Sequence, residues 1–138
     1  MHVSYNENLT PFLDALEKVI QTTLLDGMRC SVEHAETITP ENIERVKKLG
    51  GGIALDNKMG IHGDAFVKTH RIEIALYAPR LRDLVNSGIP LPLTTDAFHV
   101  SPANPWLALS WVVTGKSVSG FTVLADDNRL ARVEGLRL

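Results

Sequence analysis

Apolar residues recur at helical spacing in several stretches of the chain. The first follows Thr10-Pro11, where Phe12, Leu13, Leu16, Val19, Ile20 and Thr23/Leu24 form one stripe. Thr10 is a good N-cap and Pro11 suits a first helical position, so the helix is expected to open there and to end at Asp26-Gly27. Thr39-Pro40-Glu41 repeats that start signal; Ile43, Val46 and Leu49 form the inner face and Gly50-Gly51-Gly52 stops the helix. A further helix opens at Asn104-Pro105. Trp106, Leu109, Trp111, Val112 and Val113 make it apolar on more than one side, which predicts a well-buried helix with both tryptophans in its core, ended by Gly115.

Short apolar runs lie between the helices: His2-Val3-Ser4, Arg29 to His34, Ile53-Ala54-Leu55 and Ile89 to Thr95. Pro90 and Pro92 weaken the last as a strand, because proline cannot donate to a sheet ladder. The stretch from Asn57 to Arg71 is less regular and predicts a loop with a short helix from Asp64 to Thr69. A helix from Pro79 to Asn86 follows, with Leu81, Leu84 and Val85 inward and Ser87-Gly88 at its end. Arg129 to Leu138 looks like the start of a helix. Strands alternating with helices predict βαβ units, a parallel sheet and right-handed crossovers. The chain opens on a strand and closes inside a helix, and neither end reads as a natural domain boundary.

Composition narrows the class. The chain has 138 residues, 44% hydrophobic and 22% charged, which is ordinary for a globular domain. Fourteen basic against sixteen acidic residues give a net charge of −2, with no long charged run. That argues against nucleic-acid and membrane-surface partners. The apolar stretch Trp106 to Val113 is too short to span a bilayer, and the N-terminus lacks the pattern of a signal peptide. One cysteine, Cys30, excludes an intramolecular disulfide and favours a cytoplasmic setting. Its neighbours Arg29, Ser31 and Val32 fit a small buried residue better than a catalytic thiol. The length is below the roughly 200 residues of a complete (β/α)8 barrel.

In parallel α/β sheets functional groups gather at the C-terminal strand ends. Those ends carry His2; Glu33, His34 and Glu36; Asp56, Asn57 and Lys58; and Asp96. Two histidines and an aspartate from different strands can converge on a divalent metal, and an aspartate beside the metal-bound water can act as general base. Structural readings stand beside these. His34 fits a backbone-bonded strand end, Asp96 a cap in Thr-Thr-Asp-Ala, and His2 a terminal residue. His62 sits between Gly60 and Gly63, which suits a loop residue or a close approach to substrate, and Asn57 is a second candidate for a substrate contact. His70 and His99 read as surface residues.

The motifs Val32-Glu33-His34-Ala35-Glu36, Ile53-Ala54-Leu55-Asp56-Asn57-Lys58-Met59, Leu93-Thr94-Thr95-Asp96-Ala97, Asn104-Pro105-Trp106 and Val113-Thr114-Gly115-Lys116 together resemble the C-terminal half of the amidohydrolase superfamily. The nearest subgroup is the amidohydrolase-3 family, which includes metal-dependent hydrolases similar to N-substituted formamide deformylases. The resemblance covers nearly the whole chain. It implies strands 5 to 8 of a (β/α)8 TIM barrel, with His2 matching the fifth-strand metal ligand, His34 the sixth-strand ligand, and Asp96 the eighth-strand ligand and proton shuttle. It implies one or two divalent metals, zinc first. The family's His-x-His strand and fourth-strand ligand have no counterpart here. After His2 the chain has Val3-Ser4-Tyr5-Asn6 where the family commonly has Ala-x-Gly-Asp.

The expectation is therefore one partial barrel domain over residues 1–138. Its function would be metal-dependent hydrolysis of a non-peptide, amide-type C–N bond in a small molecule by metal-activated water. The alternative is a non-catalytic half-barrel that folds as a homo-oligomer, because open sheet edges and apolar faces invite association.

Overall fold

The computed structural model describes residues 1–23 and 29–138. Strands β1 (His2–Val3), β2 (Ser31–His34) and β3 (Gly52–Ala54) pair in sequence order as one parallel sheet. His2 lies opposite Glu33, and Val32 opposite Ile53. Parallel neighbours need long crossovers. Helix α1 (Asn6–Val19) lies between β1 and β2 in the chain, and α2 (Pro40–Lys48) between β2 and β3. After β3 come α3 (Lys58–Thr69), α4 (Ile72–Ala75), α5 (Leu81–Ser87), α6 (Pro105–Thr114) and α7 (Arg132–Gly135). The expected end of the first helix at Asp26-Gly27, and Leu24 in its stripe, lie outside the described residues.

The stretch expected as a fourth strand, Ile89 to Thr95, runs beside β3 with only one parallel bridge, Leu55 to Leu93. The carbonyls of Pro90 and Pro92 accept from Ile53 and Leu55 (both 2.9 Å), and the Thr94 N–H donates to the Leu55 carbonyl at 2.7 Å. In a parallel ladder the N–H and C=O of such a residue face the same neighbour. The two prolines have no N–H to return, so the ladder is half made.

The core joins Val32, Ile53 and Leu55 of the sheet region to Leu9 and Leu13 of α1, Ile43 and Val46 of α2, Leu81 and Leu84 of α5, and Trp111 and Val112 of α6. Helix α2 packs on α1 and α5, and α6 on α3 and α7. The Asn104 side chain caps α6 by accepting from the Trp106 N–H at 3.1 Å, and Gly115 ends it in the left-handed region at φ +67°.

Several elements differ from the sequence expectation. Helix α1 opens at Asn6 and carries Pro11 inside it. Contacts distant in sequence hold that first turn. The Asn6 N–H donates to Thr37 Oγ1 at 2.8 Å, and its side-chain oxygen accepts from Asn42 Nδ2 at 2.8 Å. Helix α3 opens at Lys58, well before Asp64, because its glycines are contact residues rather than breakers. A Cβ on Gly60 would lie 3.0 Å from Trp111 Cβ, and one on Gly63 2.6 Å from Val123 Cγ1. Helix α4 is an extra turn, and the C-terminal helix is a single turn. Trp111 is 1% exposed, whereas Trp106 is 68% exposed, so only one tryptophan belongs to the core. Cys30 is exposed rather than buried. His70 is half-buried and stacked on Phe66, with ring centroids 3.9 Å apart.

Helix α7 is tied to α5 by Arg82, whose Nη1 donates to Glu134 Oε1 at 2.6 Å. The Arg82 guanidinium, helped by the Ala131 N–H, holds the Glu134 carboxyl below its ordinary value of 4.5. A lowered folded-state pKa stabilises the fold above the unfolded value and loses that contribution as pH falls through the folded value. Glu134→Gln is therefore expected to flatten the loss of melting temperature below pH 4.5, relative to the unsubstituted chain. Parallel acid limbs in thermal melts would contradict this.

Candidate metal centre

The strand-end rule puts the chemistry past Val3, His34 and Ala54, and three ligand-type side chains meet there. His34, Asp56 and Asp96 each present a ligand atom within 4.8 Å of the others'. Asp56 is buried and the other two are half-buried. Ligand atoms sharing one ion at roughly 2.0–2.2 Å lie about 4 Å apart or less, so this donor set is close to a coordination sphere. His2 Nδ1 lies 2.9 Å from His34 Nε2 and brings a second imidazole to the edge of the group.

Local backbone explains the convergence. His34 and Ala35 leave β2 with φ of +80° and +56°, and Asp96 has φ +49°. Each costs about 1–2 kcal/mol relative to the right-handed region, and such strain concentrates at functional sites. The turn after Asp96 is fixed by the His99 and Val100 N–H groups, which both donate to its carbonyl at 3.0 Å. The Ser101 hydroxyl donates to the Thr95 carbonyl at 2.5 Å.

Asp56 works at two points. Oδ2 pairs with His34 Nδ1, and Oδ1 accepts the Lys58 N–H at 2.7 Å where α3 begins. A carboxylate accepting from Nδ1–H fixes the tautomer and leaves the Nε2 lone pair as the metal-binding or accepting position. Glu36, 4% exposed, lies next to this group. Burial raises its pKa above the ordinary glutamate value, against the opposing charge of Lys58. The Lys58 ammonium is 3.2 Å from Glu36 Oε1.

The structure thus brings together His34 and Asp96, with His2 adjoining. The two expected substrate contacts are placed elsewhere. Asn57 is 0% exposed and has no surface to offer; both its side-chain polar atoms lack a partner among the described residues. His62 is exposed on α3 and is not part of the cluster. Asp56, at the same strand end as Asn57, is a functional candidate to which the sequence alone assigns no role. A cavity of about 320 Å³ lies at the opposite, N-terminal ends of the strands, lined by Met1, Phe12, Leu16, Cys30 and Val46 among others. It is mainly apolar, so it does not compete with the cluster as a site of acid–base or metal chemistry.

A family model described as "Amidohydrolase family" matches residues 1–138. No curated protein matches the chain. Two solved structures are similar in fold. An uncharacterised metal-dependent hydrolase from Pyrococcus furiosus superposes with a TM-score of 0.72 at 24% identity, over 99% of this chain and 26% of that one. Another, from Pyrococcus horikoshii OT3, superposes with a TM-score of 0.74 at 25% identity, over 98% of this chain and 26% of that one. The chain therefore spans about a quarter of the length of both. None of its described helices is long and apolar enough to cross a membrane.

Proposed function

Because this chain belongs to the amidohydrolase family, we propose that its strand-end cluster is the divalent-metal site of a hydrolase that cleaves an amide-type C–N bond. The observation that carries the reading is the convergence of His34, Asp56 and Asp96 within 4.8 Å. The donors are imidazole and carboxylate, which suits zinc. His2, His34 through Nε2, and Asp96 would hold the ion, and Asp56 would orient His34. A divalent ion there supplies an acidified water and a Lewis acid for the substrate carbonyl.

The chain's own residues do the rest. Asp56, paired with His34 Nδ1, would hold the proton there and leave Nε2, 2.9 Å from His2 Nδ1, to bind the ion. Asp96 brings one oxygen within 4.8 Å of the His34 and Asp56 ligand atoms and has a second with which to accept the proton of the attacking water and return it to the leaving nitrogen. The partly exposed position of Asp96 leaves a path for a small substrate. Parallel order β1-β2-β3, the proline-rich segment beside β3, and helices between the strands support strands 5 to 8 of a (β/α)8 barrel.

The test offers N-formyl and N-acetyl amides to the zinc-loaded chain and follows amine release. Release should require the cation and fall by about 10²–10⁴-fold in Asp96→Asn, the range of a lost general acid–base. No release, unchanged release in Asp96→Asn, or cleavage of esters alone would contradict the amide reading.

A further inference from the structure

We propose that Lys58 is the positioning residue of this centre, a clamp that sets the spacing of its ligands without touching the cation. The inference rests on the metal-site reading above. Its basis is a regularity in the chain. The Lys58 ammonium donates to Ser4 Oγ at 3.0 Å and lies 3.2 Å from Glu36 Oε1. Ser4 is two residues past His2, Glu36 two past His34, and Lys58 two past Asp56. One ammonium therefore ties three strand ends at the same offset from three members of the cluster.

Lys58 adds to contacts that already join those ends, among them the His34–Asp56 pair and the Asn6 N–H on Thr37 Oγ1. The β1–β2 ladder closes with the Ala35 N–H on the Val3 carbonyl at 2.9 Å and the Thr37 N–H on the Ser4 carbonyl at 3.3 Å. Toward β3, Lys58 contributes its side chain to Ser4 and Glu36 and its backbone N–H to Asp56 Oδ1. Glu36 is 4% exposed, and among the described residues its carboxylate oxygens find no hydrogen bond of good geometry, so the Lys58 charge is its compensation. Removing one partner of such a pair leaves a buried group uncompensated and drives local rearrangement. A shift of the β2 end would carry His34 with it, because only Ala35 separates Glu36 from His34, and both His34 and Ala35 are held at positive φ. An ammonium has three donors, and Lys58 places them by a flexible stem, so a lysine can reach two strand ends at once.

The test uses the whole chain and two readouts. Cobalt(II) affinity and its ligand-field spectrum report the loaded centre. Imidazole nitrogen chemical shifts of His2 and His34 report the metal-free one. Lys58→Met should weaken cobalt binding by about 10- to 100-fold, as lost supporting contacts do, change the ligand-field spectrum, and shift the His34 nitrogen resonances without metal. Lys68→Met, an exposed lysine on the same helix, should leave all three unchanged. Ser4→Ala, the milder variant, should move them in the same direction by less and covers the case that Lys58→Met does not fold. Unchanged affinity, spectrum and metal-free shifts in a folded Lys58→Met or in Ser4→Ala would overturn the clamp. Failure of the unsubstituted chain to bind cobalt would overturn the metal reading instead, and the metal-free shifts would then decide the clamp alone.

Discussion

Replacing His34 by alanine is expected to weaken divalent-cation binding by more than about a hundredfold, beyond the 10- to 100-fold that a lost supporting contact causes. His34 is the hub of the cluster. Its Nδ1 is on Asp56, its Nε2 is 2.9 Å from His2 Nδ1, and its ligand atom is within 4.8 Å of those of Asp56 and Asp96. Without it, His2 loses its partner and Asp56 is left buried with one oxygen unpaired. The position also has φ +80°, which alanine tolerates poorly. His34→Asn is therefore the companion variant, because asparagine accepts the left-handed region yet provides no imidazole. Calorimetric titration of both variants should show the same loss of affinity. Binding retained in His34→Asn, with melting unchanged, would show that the imidazole is not a ligand.

Trp111→Ala is expected to be the most damaging change to the fold. The side chain is 1% exposed and packs where α6 meets the bare face of α3 at Gly60. Truncating a buried aromatic costs about 3–5 kcal/mol, a large part of the about 5–15 kcal/mol that holds a typical domain. The urea midpoint should fall sharply or the chain should lose its cooperative transition. Trp111→Phe should lose much less, since it keeps an aromatic ring and removes an indole N–H that has no partner among the described residues. Trp106→Ala should stay within about 0.5 kcal/mol, as changes at exposed positions do. Equal losses at Trp106 and Trp111 would contradict the packing.

That contrast shows what the sequence holds and what it does not. Helix α6 is apolar on nearly every side, so its pattern cannot say which tryptophan faces inward. The neighbours decide, and Gly60 is the neighbour that admits Trp111. The same glycines hid the start of α3. Gly60 and Gly63 flank His62 in a stretch without a regular apolar period, and only the approach of Trp111 and Val123 shows them to be contact points. The start of α1 was hidden for a related reason, because Thr37 and Asn42, more than thirty residues away, hold its first turn.

By contrast, the cap and stop signals of α2 and the cap of α6 are local, and both helices open where those residues put them. Pro90 and Pro92 also act locally, and the ladder fails where their N–H groups are missing. His34 and Asp96 were legible because strand ends can be located from apolar runs. Asp56 stands at an equally legible strand end. Its pairing with His34 depends on the parallel register of β2 and β3, which no local pattern encodes. The clamp by Lys58 is invisible for the same reason, since it joins Ser4, Glu36 and Lys58 across three strand ends.

The central claim is that these strand ends hold one divalent cation through imidazole and carboxylate groups. X-ray absorption of the zinc-loaded chain tests it most directly. The account predicts one ion per chain in a shell of nitrogen and oxygen only, with imidazole scattering from two histidines and ligands at about 2.0–2.2 Å. A sulfur neighbour at about 2.3 Å would place the ion at Cys30, on the opposite ends of the strands, and that result, or a shell without imidazole, would contradict it.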